Sequence, residues 1–191
     1  MKLKYAALAL LAAALLTGCG SSAKTYYYTL QTGAVDEIAA KSNRNSIAIT
    51  SLSLPEIVDR PQLVLRAGDT QVLISDNHLW GQPLKSEITR NLAAHLARET
   101  GTARVLLPGQ SGYDEADYKI AIDILRFDSV SGGDATIEAS WSVRRKGATQ
   151  PVSGQAVARE VISGVGYDAL VGAHSRALAR LSRDIAATLK P

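Results

Sequence analysis

Three histidines and one acidic cluster are the residues in this 191-residue chain with the types and spacing most suited to catalysis or metal binding. His78, His95 and His174 are far apart, and none has a second histidine or a cysteine at metal-ligand spacing. The acidic cluster at residues 114–117 lacks the alternating ligands and the glycine of a calcium loop, which favours a solvated face. No nucleophile elbow, Walker loop or complete dinucleotide-binding glycine motif is present. The sequence therefore predicts no enzyme activity, no metal and no cofactor.

The only cysteine, Cys19, directly follows an apolar segment. Lys2 and Lys4 precede that segment, and residues 5–16 are rich in leucine and alanine, which is typical of a signal peptide. The segment is too short to span a bilayer, which takes about 20 apolar residues. A lone thiol in an exported protein has no partner for an intramolecular disulfide, and acylation would modify this otherwise unpaired thiol.

The four residues LTGC at positions 16–19 resemble the lipobox of bacterial lipoproteins. The resemblance implies a signal peptide over residues 1–18, lipidation of Cys19 with acyl chains such as palmitate, and a short tether over residues 19–25. Gly20 follows the cysteine where an aspartate would imply inner-membrane retention, so the same resemblance implies the periplasmic face of the outer membrane. The alternative is an ordinary small-residue cleavage site at residues 12–14, with Cys19 incidental.

The composition is that of one nearly neutral domain. Removing residues 1–18 takes away Lys2 and Lys4 and lowers the formal net charge from +3 to +1. No basic run is present, which argues against a nucleic-acid partner, because phosphate binding needs clustered lysines and arginines. The chain is 46% apolar but only 5% aromatic, which predicts an aliphatic core within a single domain over residues 26–191.

Hydropathy periods predict eight strands and two helices. Helical spacing connects Leu84, Ile88, Leu92 and Leu96, and a second apolar stripe runs through residues 170–189. Residues 76–82 are predicted to be a loop that carries Trp80. Period-two or apolar segments predict strands over residues 26–30, 46–54, 62–66, 71–75, 103–107, 118–127, 135–145 and 152–162.

These elements predict an α+β fold, a two-layer sandwich of a mixed, mostly antiparallel sheet with two amphipathic helices. The order of strands, helix and strand in the first half predicts at least one parallel pair through a crossover. The last three strands follow each other closely and predict an antiparallel meander.

Three motifs in the mature chain resemble those of the ABC-type transport auxiliary lipoprotein component family, the PqiC-like outer-membrane lipoproteins. Residues 54–64, LPEIVDRPQLV, are similar to the family signature LPxxxDRxQ. Residues 27–30, YYTL, and residues 79–84, LWGQPL, are similar to its two flanking motifs, with Gly81 where an alanine is common. The match covers most of the mature chain, in the right order and behind a lipobox.

The resemblance implies a non-catalytic periplasmic subunit of an MCE-type system that carries lipid between the inner and outer membranes. This subunit would dock the MCE-domain protein at the outer membrane, to which its acyl chains hold it, and homo-oligomerisation is left open. The competing interpretation is a generic outer-membrane assembly or envelope-scaffold lipoprotein. It shares the anchor and the fold class, and only the three motifs argue against it.

The motif residues have two interpretations. As scaffold, Pro55 fixes a turn, Asp59 bonds nearby backbone donors, Arg60 pairs with a carboxylate, and Trp80 covers the core. As a binding site, the turn and the loop before the first helix contact the partner, since binding residues concentrate in loops. The residues concerned are Leu54, Pro55, Asp59, Arg60, Trp80, Pro83 and Leu84.

Overall fold

A computed structural model describes residues 23–33 and 44–189 of the chain. The predicted signal peptide, Cys19 and Gly20 lie outside the described residues, and so does the polar segment at 34–43. The predictions made for Cys19 and Gly20 therefore stay predictions.

Two helices occupy the positions that the periodicity predicts. Helix α1 spans Leu84–Thr100 and helix α2 spans Gly166–Ala187. Every residue of the first stripe is buried, as are the large apolar residues of the second. Helix α1 begins after Pro83, whose carbonyl accepts the amides of Ser86 and Glu87, and it ends at Gly101 with a φ of 68°, a left-handed conformation that glycine adopts readily. Neither helix is both long and apolar enough to cross a membrane.

Eight strands form two sheets in the described part of the chain. Their bounds are β1 Tyr26–Tyr28, β2 Ile47–Ser53, β3 Gln62–Arg66, β4 Val72–Trp80, β5 Val105–Leu106, β6 Tyr118–Ser129, β7 Asp134–Arg145 and β8 Val152–Val161.

The larger sheet has the order β5-β2-β6-β7-β8. Strand β2 pairs in parallel with both β5 and β6, which explains why its first three residues are all buried. Strands β6, β7 and β8 form the predicted antiparallel meander. Helix α1 packs against β2 and β5, and helix α2 packs against β7, β8 and α1. The prediction of an α+β fold with two amphipathic helices on a mixed sheet is confirmed, with the strands divided between a sheet of five and a sheet of three.

The smaller sheet has the order β1-β4-β3, with β1 parallel and β3 antiparallel to β4. The predicted loop at residues 76–82 is wrong over most of its length, since β4 continues to Trp80. Asp76 and Asn77 favour turns locally, but backbone pairing of this segment with β1 and β3 outweighs that preference. Only Gly81–Pro83 remains as the connection to α1.

A buried carboxylate joins the two sheets. Asp128 on β6 accepts hydrogen bonds from Arg66 on β3 at 2.7 Å and from Arg126 at 2.8 Å. A single bridge between Arg66 and Val130 continues the connection. Because the Asp128 carboxylate is almost wholly buried, both arginines are needed to compensate its lost hydration.

Candidate partner-binding cleft

The three sequence motifs meet at one end of the smaller sheet, where β4 lies between β1 and β3. The amide of Gly81 donates to the carbonyl of Tyr28 at 2.7 Å, which joins the third motif to the first. The amide of Trp80 donates to the carbonyl of Pro61 at 2.7 Å, which joins the third motif to the second. A Cβ atom at Gly81 would lie 3.0 Å from Thr29 Cγ2, so the approach of these segments leaves little room for a larger residue.

The first motif is held in place by polar side chains of the two helices. Glu87 is buried on α1, and its Oε2 accepts the amide of Leu30 at 3.2 Å. Asn91 donates to the carbonyl of Gln31 at 2.9 Å, and Ser175 Oγ accepts the amide of Gln31 at 2.9 Å. The sequence places Glu87 off the apolar stripe, so its burial was not predictable from periodicity. These contacts fix the segment that follows β1 against the helices.

A turn positions the charged residues of the second motif. The carbonyl of Pro55 accepts the amides of Val58 at 3.0 Å and Asp59 at 3.2 Å, which closes one tight turn. Val58 is buried and fixes this turn to the core, while Leu54 is half-buried against the core. Asp59 is therefore left exposed at the surface and Arg60 partly exposed.

The second and third motifs together enclose a cleft of about 390 Å³. Trp80 and Leu84 form its floor, since they are only 6% and 1% exposed. Trp80 packs edge-on against Phe127 with the ring centroids 6.2 Å apart, which connects the floor to the core. The remaining lining residues are Asp59, Arg60, Pro61, Gly81, Gln82 and Pro83. Leu54 and Pro55 do not line the cleft but support the turn beside it.

The Arg60 side chain has no partner in the described part of the chain, although its backbone amide donates to the carbonyl of Val58 at 2.8 Å. Its Nε atom is enclosed without a hydrogen-bond acceptor, and no described carboxylate forms an ion pair with its guanidinium. An enclosed donor left unpaired costs about 1–3 kcal/mol, more when it is charged. By contrast, Arg90, which does not line the cleft, is paired, because it donates to Gln82 Oε1 and lies 3.9 Å from Glu87. Arg60 is thus the cation that lines the cleft, and its guanidinium is not paired with any described carboxylate.

The three histidines lie in separate environments. His174 is fully buried and stacks on Phe127 at 4.1 Å, and burial lowers its pKa to about 3. Burial, followed by the charges of Arg98 and Arg183, lowers the pKa of His95 to about 4. His78 stacks between Tyr26 and Tyr167, with centroid distances of 5.1 Å and 3.7 Å. Over residues 23–33 and 44–189, no three histidine, cysteine or acidic side chains come together as a metal site.

The predicted acidic cluster divides into two parts. Asp114 and Glu115 are exposed, whereas the Asp117 carboxylate accepts both the amide of Ser46 at 2.7 Å and its hydroxyl at 2.9 Å. These hydrogen bonds, the backbone one first, lower the pKa of Asp117. Asp117 therefore helps to join the start of β2 to the start of β6, a structural role that the sequence pattern does not reveal.

Comparison with known proteins assigns the family. The model of the family described as ABC-type transport auxiliary lipoprotein component matches residues 28–186, which include all but the first residue of the three motifs. The chain belongs to this family.

Named relatives agree with this assignment, and solved structures share the fold. The chain is 23% identical over 145 residues to the intermembrane transport lipoprotein PqiC of Escherichia coli, covering 72% of this chain and 73% of that protein. The match to the protein of the same name from Shigella flexneri has the same values. The fold is similar to a crystal structure of an uncharacterized protein, with a TM-score of 0.70 and 18% identity over 88% of this chain and 100% of that one. Protein XCC0632 from Xanthomonas campestris gives a TM-score of 0.66 and 20% identity over 86% and 93%.

Proposed function

We propose that this protein is a non-catalytic, lipid-anchored subunit of an MCE-type intermembrane lipid transport system, and that it docks the MCE-domain protein at the outer membrane. Its membership of a family of auxiliary transport lipoproteins supports the general role, as does the name of the relatives. The observation that carries the docking role is the meeting of two motifs at one cleft that contains an unpaired arginine.

The cleft suits a peptide segment that combines a carboxylate with an apolar side chain. The carboxylate would pair with Arg60, whose planar guanidinium forms two parallel hydrogen bonds with such a group. The apolar side chain would lie on Trp80 and Leu84, between the exposed rings of Pro61 and Pro83. Aromatic and arginine residues in partly enclosed pockets contribute most of the binding energy in protein interfaces.

The three histidines are the described side chains best suited to catalysis, and each is engaged in packing or stacking. This supports a role without catalysis. His174 and His95 are neutral at physiological pH, since their pKa values lie near 3 and 4. His78 is stacked between two tyrosines and shares a hydrogen bond of 2.7 Å with the Tyr28 hydroxyl. None of the three lines the cleft.

Anchoring would come from acyl chains on Cys19. Each buried methylene contributes about 0.8 kcal/mol, but one chain alone gives only marginal binding, so the several chains usual for bacterial lipoproteins make the attachment durable. Strand β1 begins at Tyr26, so the tether between Cys19 and the fold is short and keeps the folded domain near the membrane.

The test is purification of the full-length protein from cell envelopes in a mild detergent, followed by identification of the proteins that remain bound after stringent washing. The proposal predicts recovery of an MCE-domain protein in stoichiometric amount. Recovery of outer-membrane assembly machinery in its place would contradict the transport role and favour the envelope-scaffold alternative.

A further inference from the structure

A second concave surface lies at one end of the domain, apart from the partner-binding cleft. It is an apolar groove of about 380 Å³ between the β3–β4 hairpin, the β6–β7 turn and the connection from β8 to α2. None of its lining residues is charged: Leu65, Leu73, Ser131, Gly132, Ile162, Gly164, Val165, Gly166, Tyr167 and Leu170.

Large aliphatic side chains project into solvent around this groove. Val165 is 94% exposed between two glycines, Val161 is 66% exposed, Leu73 is 56% exposed and Val130 is 44% exposed. Single exposed aliphatic residues are common, but several grouped at one end of a domain mark a binding surface. We call these four residues the apolar tip.

Two hydrogen bonds, one from a backbone amide and one from a side chain, hold the tip in place. The amide of Ile162 donates to the carbonyl of Gly133 at 3.0 Å, which ties the β8–α2 connection to the β6–β7 turn. Arg176 donates to the carbonyl of Val161 at 2.8 Å from helix α2. The tip therefore presents its side chains without a large ordering cost on binding.

The first described strand starts from the end of the smaller sheet that lies toward the tip. Strand β1 is parallel to β4, and Asn77 donates to the carbonyl of Lys24 at 3.1 Å, so Lys24 precedes β1 on the side that leads along β4 to Leu73. Leu73 lies four positions before Asn77 on β4, or about 13 Å away. Cys19 lies five positions before Lys24, and that length of chain can extend to about 17 Å, enough to reach the tip.

Tyrosines lie on β1 and beside the groove. Tyr26 and Tyr27 are 43% and 68% exposed, and Tyr167 lines the groove while stacking on His78. Tyrosine is enriched where a protein meets the headgroup region of a membrane, because its ring is apolar and its hydroxyl polar. Asp134 and Asp168 are exposed near the tip, which limits the depth to which it can enter a bilayer.

We propose that the apolar tip inserts shallowly into the phospholipid bilayer to which the protein is anchored, so that the folded domain itself contacts lipid in a fixed orientation. This inference rests on the proposed anchoring at Cys19. A bilayer is favoured over a protein partner because exposed tyrosines lie beside the groove, and because the first described strand after the proposed anchor starts from this end.

The test uses the full-length lipoprotein isolated from membranes and reconstituted into vesicles of phosphatidylethanolamine and phosphatidylglycerol. An environment-sensitive fluorophore is attached to Val165→Cys, and separately to Thr149→Cys, which lies in the β7–β8 turn at the opposite end of β7. Vesicles with and without lipids carrying a quencher on the acyl chain are compared. Protein without an added cysteine is the labelling control, because acylated Cys19 takes no dye.

The proposal predicts about twofold or greater quenching at Val165→Cys and almost none at Thr149→Cys, since an interfacial side chain enters the boundary between headgroups and acyl chains. No lipid quenching at Val165→Cys would overturn the proposal. Shielding of that dye from aqueous iodide without lipid quenching would also overturn it and would identify a protein as the occupant.

Failure of the anchor is distinguishable from failure of the tip. Suppose that the Cys19→Ala protein stays in the membrane fraction while the dye on Val165→Cys is still quenched in the full chain. That result overturns anchoring through Cys19 and supports insertion of the apolar tip. Release of the Cys19→Ala protein from membranes, together with an unquenched dye on Val165→Cys, supports anchoring through Cys19 and overturns insertion of the apolar tip.

Discussion

The amide of Trp80 donates to the carbonyl of Pro61 at 2.7 Å, so the last residue of β4 and the turn that carries Arg60 share one backbone contact. The floor and the charged wall of the cleft are therefore positioned together. A change of backbone in the turn would displace Trp80, which packs on Phe127 in the core. Tests of binding should accordingly alter the Arg60 side chain and leave Pro61 unchanged.

Truncation of the helix stripes should destabilise the fold. Leu92 on α1 and Leu181 on α2 are both 0% exposed, so Leu92→Ala or Leu181→Ala should lower the free energy of unfolding by about 2–5 kcal/mol. Urea denaturation measures the loss, and Leu125→Ala, at a half-exposed strand position, is the control expected to change it by about 0.5 kcal/mol or less. A loss equal to that of the control would mean that the helix faces are wrongly assigned.

Loss of the Asp128 carboxylate between the two sheets should lower the free energy of unfolding more than loss of an exposed carboxylate. Asp128→Asn weakens the hydrogen bonds from Arg66 and Arg126 and should cost about 1.5–3 kcal/mol, because both bonds involve charged groups. Asp123→Asn is the matched control, since Asp123 is exposed and bonds only Ser53 among the described residues. Equal stability of the two variants in chemical denaturation would show that Asp128 does not join the sheets.

Acid should destabilise the fold through its buried histidines. The pKa of His174 is about 3 and that of His95 about 4 in the fold, against about 6.5 in an unfolded chain. Both pKa values are depressed, so the stabilisation is complete above pH 6.5 and is lost as the pH falls from 6.5 toward the folded values.

Denaturation at pH 7 and pH 5 measures this loss. The contribution of His174 should decrease by about 1.4 kcal/mol per pH unit below 6.5. His174→Phe keeps a ring beside Phe127 but cannot be protonated, so its unfolding free energy should depend less steeply on pH. A pH dependence as steep as that of the wild type would show that His174 is not responsible.

Periodicity was sufficient to predict both helices and the β6–β8 meander, because each of these depends on contacts close in sequence. The extension of β4 through Asp76 and Asn77 was not predictable, since its partners β1 and β3 are fixed by tertiary packing. The same holds for Glu87, whose buried acceptor matters only once Leu30 is brought beside α1. The cleft residues were predicted from motifs, but their meeting depends on the strand pairing.

Lipidation should be the only attachment that withstands washing. Cys19→Ala should move the protein from the membrane to the soluble periplasmic fraction while its circular dichroism stays that of the wild type. Gly20→Asp should retain part of the protein in the inner membrane, since the residue after the cysteine directs sorting in the lipoproteins that the motif resembles. An unchanged position of Gly20→Asp in a density gradient would contradict the sorting prediction.

The most direct measurement of the central claim is co-purification of the proposed MCE-domain partner with Arg60→Glu. Arg180→Glu is the matched control, because it makes the same charge change at an exposed position of α2 for which the described residues offer no hydrogen bond or ion pair. We predict that Arg60→Glu lowers partner recovery about tenfold or more, as loss of a partly buried charge pair does, while the melting temperature stays within about 2 °C of wild type. Arg180→Glu should retain full recovery. Unchanged recovery with Arg60→Glu, or a fall in melting temperature that accounts for the lost binding, would contradict a partner-binding role for the cleft.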